Sequence, residues 1–108
     1  MHVRGLETLA PVVLYLGSPK EKIWGLLLEL SPAGILLRGL DVDVFEDWLR
    51  QESRADERMI MPAMVFYPMH RVERLERDES LGPIMGLAER FLEETGRSVQ
   101  DALATAPE

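Results

Sequence analysis

Three apolar runs dominate the first forty residues of the chain, and turn-forming residues separate them. Val12 to Leu16 ends at Gly-Ser-Pro, and the runs 23–30 and 35–40 flank a Ser-Pro-Ala-Gly loop at 31–34. This pattern predicts three strands, the last two forming a hairpin. Gly25 inside the second strand predicts a bend or a close backbone approach. Because the runs are apolar at nearly every position, we expect a sheet covered on much of both faces, by curling or by a partner.

The hydrophobic period changes after residue 41. Four apolar residues recur at i, i+1, i+4 and i+5, which is one face of a helix: Val44, Phe45, Trp48 and Leu49. Asp43 is the expected N-cap, and Glu46 would complete a capping box. We therefore expect an inserted helix at about 43–52, followed by a polar loop.

Residues 59–67 predict a fourth strand with Pro62 near its start. Pro68 lacks a backbone donor and interrupts the ladder. Residues 69–76 then predict a fifth strand with mixed charge. Proline and charge both blunt a sheet edge against aggregation, so this segment is interpreted as a twisted edge.

The C-terminal part predicts helices. Apolar residues at spacing 0, 3, 4, 7 and 8 define one amphipathic face: Ile84, Leu87, Ala88, Phe91 and Leu92. Pro83 suits a first helical turn and Gly96 a C-cap, which predicts a helix at about 83–95. A short second helix is expected over 98–104, and residues 105–108 should fray.

Together these elements predict a single domain over residues 1–108, mainly β with added helices. Its core at 12–77 would be a small five-stranded antiparallel barrel that contains the inserted helix. Residues 81–104 would form a C-terminal helical extension.

Composition narrows the functional classes. The chain of 108 residues is 46% hydrophobic, has no cysteine and carries a formal net charge of -7. The absence of cysteine removes disulfides, thiolate metal sites and cysteine nucleophiles. The acidic balance works against non-specific binding to phosphate backbones. No apolar run is long enough for a membrane span, and no secretory signal pattern opens the chain, so a cytoplasmic location without membrane contact is expected.

The order of the elements resembles a known family. A strand, a bent strand with Trp24-Gly25-Leu26, a hairpin and a short strand pair across a polar break are similar to the Sm-like family of small SH3-like barrels, which includes Hfq, over about residues 12–77. In that family the fourth and fifth strands are exposed edges that pair between subunits and close a ring. The resemblance therefore implies that segments 63–67 and 69–76 form the contacts of a homo-oligomer.

The same resemblance raises RNA binding as a hypothesis. Hfq carries a Tyr-Lys-His motif between its last two strands, and this chain has Tyr-Pro-Met-His at 67–70. Arginine forks bind phosphate and aromatic rings stack on bases. The candidate ligand or RNA contacts are Tyr67, His70, Arg71, Arg74 and Arg38.

A plainer interpretation of that segment is favoured. Residues 70–79 hold three arginines against four acidic residues, so the local charge is not basic. Mixed charge of this kind is typical of a solvated strand face.

Other clusters have similarly plain explanations. Four acidic residues around the inserted helix could attract a hard cation, but capping and the helix dipole suffice: Asp41, Asp43, Glu46 and Asp47. Four methionines could bind Cu(I), but packing or an interface is favoured: Met59, Met61, Met64 and Met69. Trp24 and Trp48 are expected in the core or an interface. No catalytic constellation or phosphate loop is present, and no cofactor or metal is expected.

The sequence therefore favours a non-catalytic oligomeric interaction or scaffold module of Sm-like type. Edge segments rich in methionine and aromatic residues have the composition enriched at interfaces. The candidate interface residues are Met61, Met64, Phe66, Tyr67, Met69 and Val72. A protein partner is also compatible with this prediction. Two alternatives stay open: an RNA-binding ring, although the net charge disfavours RNA, and a regulatory domain with a small-ligand pocket between barrel and helix.

Overall fold

A computed structural model describes residues 2–54 and 59–104, which are built around a five-stranded antiparallel sheet. The strands are β1 (Pro11–Leu16), β2 (Glu21–Ser31), β3 (Gly34–Asp41), β4 (Ala63–Pro68) and β5 (Val72–Arg77). They lie in the order β4-β3-β2-β1-β5, so β4 and β5 are the two edges. The predicted class, mainly β with added helices, is confirmed.

The sheet is open, because in the described part of the chain no ladder joins β4 to β5. A single 3₁₀ turn, Met69–Arg71, nevertheless connects these two edges. The Met69 N–H donates to the Ala33 carbonyl at 2.9 Å, and the Gly17 N–H donates to the Arg71 carbonyl at 2.9 Å. These bonds tie the turn to the β3 side and to the β1 side at once, so the sheet is curled at this end.

Much of both faces of the sheet is covered, as its apolar runs predict, whereas most of β4 is exposed. One face holds an inner core that includes Val12, Leu14 and Leu37. The opposite face carries Val13, Trp24 and Leu26, which pack against the helices. Successive strand residues point to opposite faces, so a strand that is apolar at every position contributes to both cores.

Three helices cover the second face: α1 (Phe45–Arg54), α2 (Leu87–Thr95) and α3 (Val99–Ala104). They close over a cluster of four buried aromatic rings, namely Trp24, Phe45, Trp48 and Phe91. Trp48 stacks on Phe91 with ring centroids 4.7 Å apart, and Trp24 meets Phe45 edge-on at 5.0 Å. The prediction that both tryptophans anchor a core is confirmed.

Gly25 allows β2 and β3 to approach closely. It lies opposite Gly39, and a Cβ on Gly25 would stand 2.4 Å from the Arg38 carbonyl oxygen. The predicted close backbone approach is therefore present. The hairpin at 31–34 is also confirmed, with Ser31 paired to Gly34.

The helix starts differ from the prediction. Residues Val42–Val44 form a 3₁₀ turn, and the Phe45 N–H donates to the Val42 carbonyl, so Asp43 lies inside this turn and is not an N-cap. The inserted helix therefore runs over Phe45–Arg54 instead of 43–52.

The C-terminal helix begins at Leu87, not at residue 83, because Pro83 belongs to a tight turn closed by Leu81 and Ile84. Gly96 has φ +76° and ends α2, as predicted. The predicted fourth strand begins at Ala63, since residues 59–62 lie outside the ladder.

The polar loop was predicted at 54–58, but Arg54 is the last residue of α1 and residues 55–58 lie outside the described residues, as does the predicted frayed tail at 105–108. Among the helices in the described ranges, none is long and apolar enough to cross a membrane.

Candidate interaction surface

β4 is apolar and solvent-exposed along most of its length. Ala63, Met64, Val65 and Phe66 are all exposed, and Met64 and Phe66 keep 49% and 51% of their surface in water. Directly opposed residues share a face, so Val65 lies on the face of Leu37 while its neighbours lie on the other face. The strand therefore presents apolar side chains on both sides of the sheet.

The outward backbone of β4 is also open. In an antiparallel ladder, hydrogen-bonded and non-hydrogen-bonded pairs alternate. The bond from the Met69 N–H to Ala33 and the β3–β4 register place the inward-facing groups at Ala63, Val65 and Tyr67. The N–H and C=O groups of Met64 and Phe66 therefore face away from β3, where a further strand could pair with them.

Gln51 fixes the segment that leads into β4. Its side-chain oxygen accepts hydrogen bonds from the Met59 and Ile60 N–H groups, both at 2.9 Å, and its amide nitrogen donates to the Ile60 carbonyl. Gln51 is buried, so this clamp holds the chain against α1. Met61, next in the chain, is 62% exposed. The exposed strip therefore comprises Met61, Met64, Val65 and Phe66.

The predicted interface residues divide into two groups. Met61, Met64 and Phe66 are exposed and free to meet a partner. The other three are half-buried and pack against the inner core: Tyr67, Met69 and Val72. Their role in an interface stays a prediction.

Arg71 is occupied by contacts within the chain. Its guanidinium donates to the Pro19 carbonyl at 2.8 Å, to the Gly17 carbonyl at 3.2 Å and to the Glu21 carboxylate at 2.7 Å. These bonds hold the β1–β2 loop against the 3₁₀ turn. Arg71 thus has a structural role that leaves little of its donor fork for a ligand.

The remaining candidate ligand contacts do not gather in one place. Arg38 donates to the Pro62 carbonyl at 3.5 Å on the β4 side of the sheet. Arg74 is on the opposite edge, 4.2 Å from the ring centroid of Tyr15. Exposed His70 lies in the turn between the two edges.

The fold alters the ionisation of Tyr67, one of the candidate contacts. Burial raises the pKa of its phenol, and the nearby carboxylates of Glu21 and Asp41 raise it further, while Arg71 opposes them. The Tyr67 phenol therefore loses its proton less readily than that of a free tyrosine.

A groove with a volume of about 540 Å³ lies at the β1–β2 loop, not between sheet and helices. Its lining mixes Lys20 and Lys22 with four acidic side chains, including Asp41 and Asp43. Small-molecule sites are usually apolar with a few polar groups, and this groove lacks that character. Within residues 2–54 and 59–104, no group of acidic or histidine side chains is arranged to hold a metal ion.

β5 differs from β4 in chemistry. Its central residues read Glu-Arg-Leu-Glu-Arg at 73–77, and Arg74 and Glu76 form an exposed ion pair at 3.2 Å. The Asp78 N–H donates to the Pro11 carbonyl at 2.9 Å. With the β1–β5 register, this bond turns the backbone groups of Arg74 and Glu76 toward β1 and those of Leu75 and Arg77 outward.

Sequence reasoning missed two polar side chains that organise the surface, Gln51 and Asp78. The Asp78 carboxylate accepts hydrogen bonds from the Trp24 indole at 2.9 Å and from the Leu87 and Ala88 N–H groups at 2.9 and 2.8 Å. Both residues act on segments eight or more positions away. No local spacing signals such contacts.

Comparison with known proteins adds no assignment: no protein-family model, no curated protein and no solved structure matches this chain.

Proposed function

We propose that this protein is a non-catalytic, self-assembling interaction or scaffold module of the Sm-like barrel type, and that β4 is buried against a neighbouring copy. The observation that carries the proposal is the exposed strip formed by Met64, Val65 and Phe66 on an edge strand and by Met61 directly before it.

An edge strand of this kind is a liability in a monomer. Proteins usually protect free edges with charge, proline or a covering element, and an exposed apolar edge pairs readily with another chain. Pro68 protects only the end of β4. Full burial of a Met or Phe side chain stabilises by about 1.5–3 kcal/mol, so burying the exposed halves of Met64 and Phe66 would contribute roughly 1 kcal/mol each.

The topology supports the barrel type. The strand order makes β4 and β5 the two edges, and the three-residue connection between them curls the sheet. The resemblance to Sm-like proteins implies contacts between subunits through these same two strands. RNA binding and small-ligand binding stay predictions. The candidate arginines are dispersed, and the groove at the β1–β2 loop is lined by mixed charge.

The test places a lysine on the β4 edge. Met64→Lys should reduce the assembled mass measured by light scattering at micromolar concentration, because the ammonium group cannot be buried in an apolar contact. Leu92→Lys is the matched control, since Leu92 is also 49% exposed but lies on α2 and not on an edge strand. It should leave the mass unchanged.

Two results would contradict the proposal. One is a wild-type protein that stays at its monomer mass of 12.3 kDa. The other is a folded Met64→Lys variant with the same mass distribution as wild type. Phe66→Lys serves as a second variant in case the first fails to fold.

A further inference from the structure

The β5 edge has a charge order that complements itself. Reading outward in both directions from Leu75, each charge meets its opposite: Arg74 mirrors Glu76, and Glu73 mirrors Arg77. A strand with this symmetry can pair with a second copy of itself running antiparallel, because each residue then faces its mirror partner.

The backbone permits that pairing in one family of registers. Leu75 and Arg77 direct their N–H and C=O groups away from β1, and no backbone bond in the described residues occupies that side. In a ladder between two copies of β5, residues whose backbone groups point outward must face each other. These residues are two positions apart along the strand, so the two-fold axis must pass through a residue, and not between two residues.

Charge then selects one register among those allowed. Centring on Arg74 would oppose Arg74 to its own copy, and centring on Glu76 would oppose Glu76 to its own copy. Centring on Leu75 opposes every charge in 73–77 to the opposite charge. We propose that β5 pairs antiparallel with β5 of a second copy about a two-fold axis at Leu75. This interface deepens the proposed self-assembly and rests on it.

Within one chain, Arg74 and Glu76 are already placed to face their counterparts in a second copy. Arg74 and Glu76 lie on one face, 3.2 Å apart, and both contact Tyr15. In the symmetric ladder they form non-hydrogen-bonded pairs, the closer of the two pair types. Two chains would thus assemble a ring of four alternating charges, and such networks contribute more than isolated surface pairs.

The outer pairs contribute less. Arg77 already donates to the Gly5 carbonyl at 2.7 Å, and Glu73 stands at a bulge with its side chain against Gly17. The interface therefore depends on Arg74, Leu75 and Glu76.

The alternative occupant of this edge is β4 of a neighbour. Residues 63–68 of β4 carry no charge, so a β4–β5 ladder would leave Arg74 and Glu76 without opposite charges across the strand pair. Charge complementarity thus favours β5 of a second copy over β4.

The test uses charge reversal in a chain that carries Met64→Lys, which blocks the β4 edge. This background should be a dimer. Arg74→Glu places Glu opposite Glu at both central pairs, and Glu76→Arg places Arg opposite Arg, so each should weaken dimerisation by about tenfold or more. Mixing the two variants restores both opposite-charge pairs, and the mixture should form heterodimers that weaken as salt is added.

The controls are internal to the design. The double variant Arg74→Glu/Glu76→Arg keeps the symmetry and should dimerise like the background, and circular dichroism confirms that each single variant is folded. Folded single variants that dimerise as before, or a mixture that stays monomeric, would overturn the β5 interface. A monomeric wild-type protein would instead overturn the proposed function itself. Wild-type protein that assembles, together with charge-reversal variants that dimerise as strongly as the Met64→Lys background, would overturn only the β5 pairing.

Discussion

Replacing Asp78 by alanine tests how the sheet and α2 are joined. The Asp78 carboxylate at the end of β5 accepts hydrogen bonds from three donors: the Trp24 indole at 2.9 Å, the Leu87 N–H at 2.9 Å and the Ala88 N–H at 2.8 Å. Gly86 precedes α2 and has no side chain to cap it, so Asp78 supplies the cap from a distance.

The expected loss in the free energy of unfolding has two contributions, one from the helix cap and one from the Trp24 indole. Loss of a helix cap costs about 1 kcal/mol. The Trp24 side chain is fully buried, and a buried donor left without a partner costs about 1–3 kcal/mol. The sum is a loss of about 2–4 kcal/mol, a large share of the 5–15 kcal/mol typical of a small domain.

The assay is urea unfolding followed by tryptophan fluorescence, at one protein concentration because association raises apparent stability. Asp78→Asn keeps one oxygen acceptor and should fall between wild type and Asp78→Ala. Glu79→Ala is the matched control at the neighbouring position. Because the Glu79 side chain is exposed, this change should lower the free energy of unfolding by less than about 0.5 kcal/mol. If Asp78→Ala unfolds at the same urea concentration as Glu79→Ala, the carboxylate does not hold the two elements together.

Two further predictions concern the core and pH. Gly25→Ala places a Cβ 2.4 Å from the Arg38 carbonyl, and the forced separation of β2 and β3 should cost about 1–3 kcal/mol in urea unfolding; an unchanged midpoint would contradict the close approach. The hydrogen bond with Arg90 lowers the pKa of Glu46, so its stabilisation is present above the ordinary glutamate pKa and is lost as pH falls through the lowered value. Glu46→Gln should therefore be less stable than wild type at about pH 6 and should approach wild type by about pH 3; equal stability at both values would exclude the contribution of this pair.

Much of the secondary structure could be predicted from local pattern. The runs at 12–16, 23–30 and 35–40 are strands, and Trp48 and Phe91 lie on buried helix faces, because burial imposes a period that the residues display. The residues at which α1 and α2 begin could not be predicted from the local sequence pattern. The 3₁₀ turn before α1 and the distant cap from Asp78 before α2 depend on contacts beyond the local window.

The candidate surface was predicted only in part. The methionine and aromatic content of 59–69 indicated an interface, but sequence could not separate exposed Phe66 from half-buried Met69, since the curl of the sheet determines which side chains reach the inner core. Arg71 was one candidate ligand contact in a segment for which a solvated strand face was favoured, but neither interpretation included its partners at 17–21, which are about fifty positions away. The symmetric order of charges in residues 73–77 is visible in the sequence, but it suggests pairing between two copies only because β5 is an edge strand.

Self-assembly through the edge strands is the claim on which the functional account depends, and molar mass tests it most directly. Light scattering coupled to size-exclusion chromatography should return a multiple of the 12.3 kDa chain mass for wild-type protein at micromolar concentration, with a smaller mass for Met64→Lys. A single peak at 12.3 kDa across the concentration range would contradict the account.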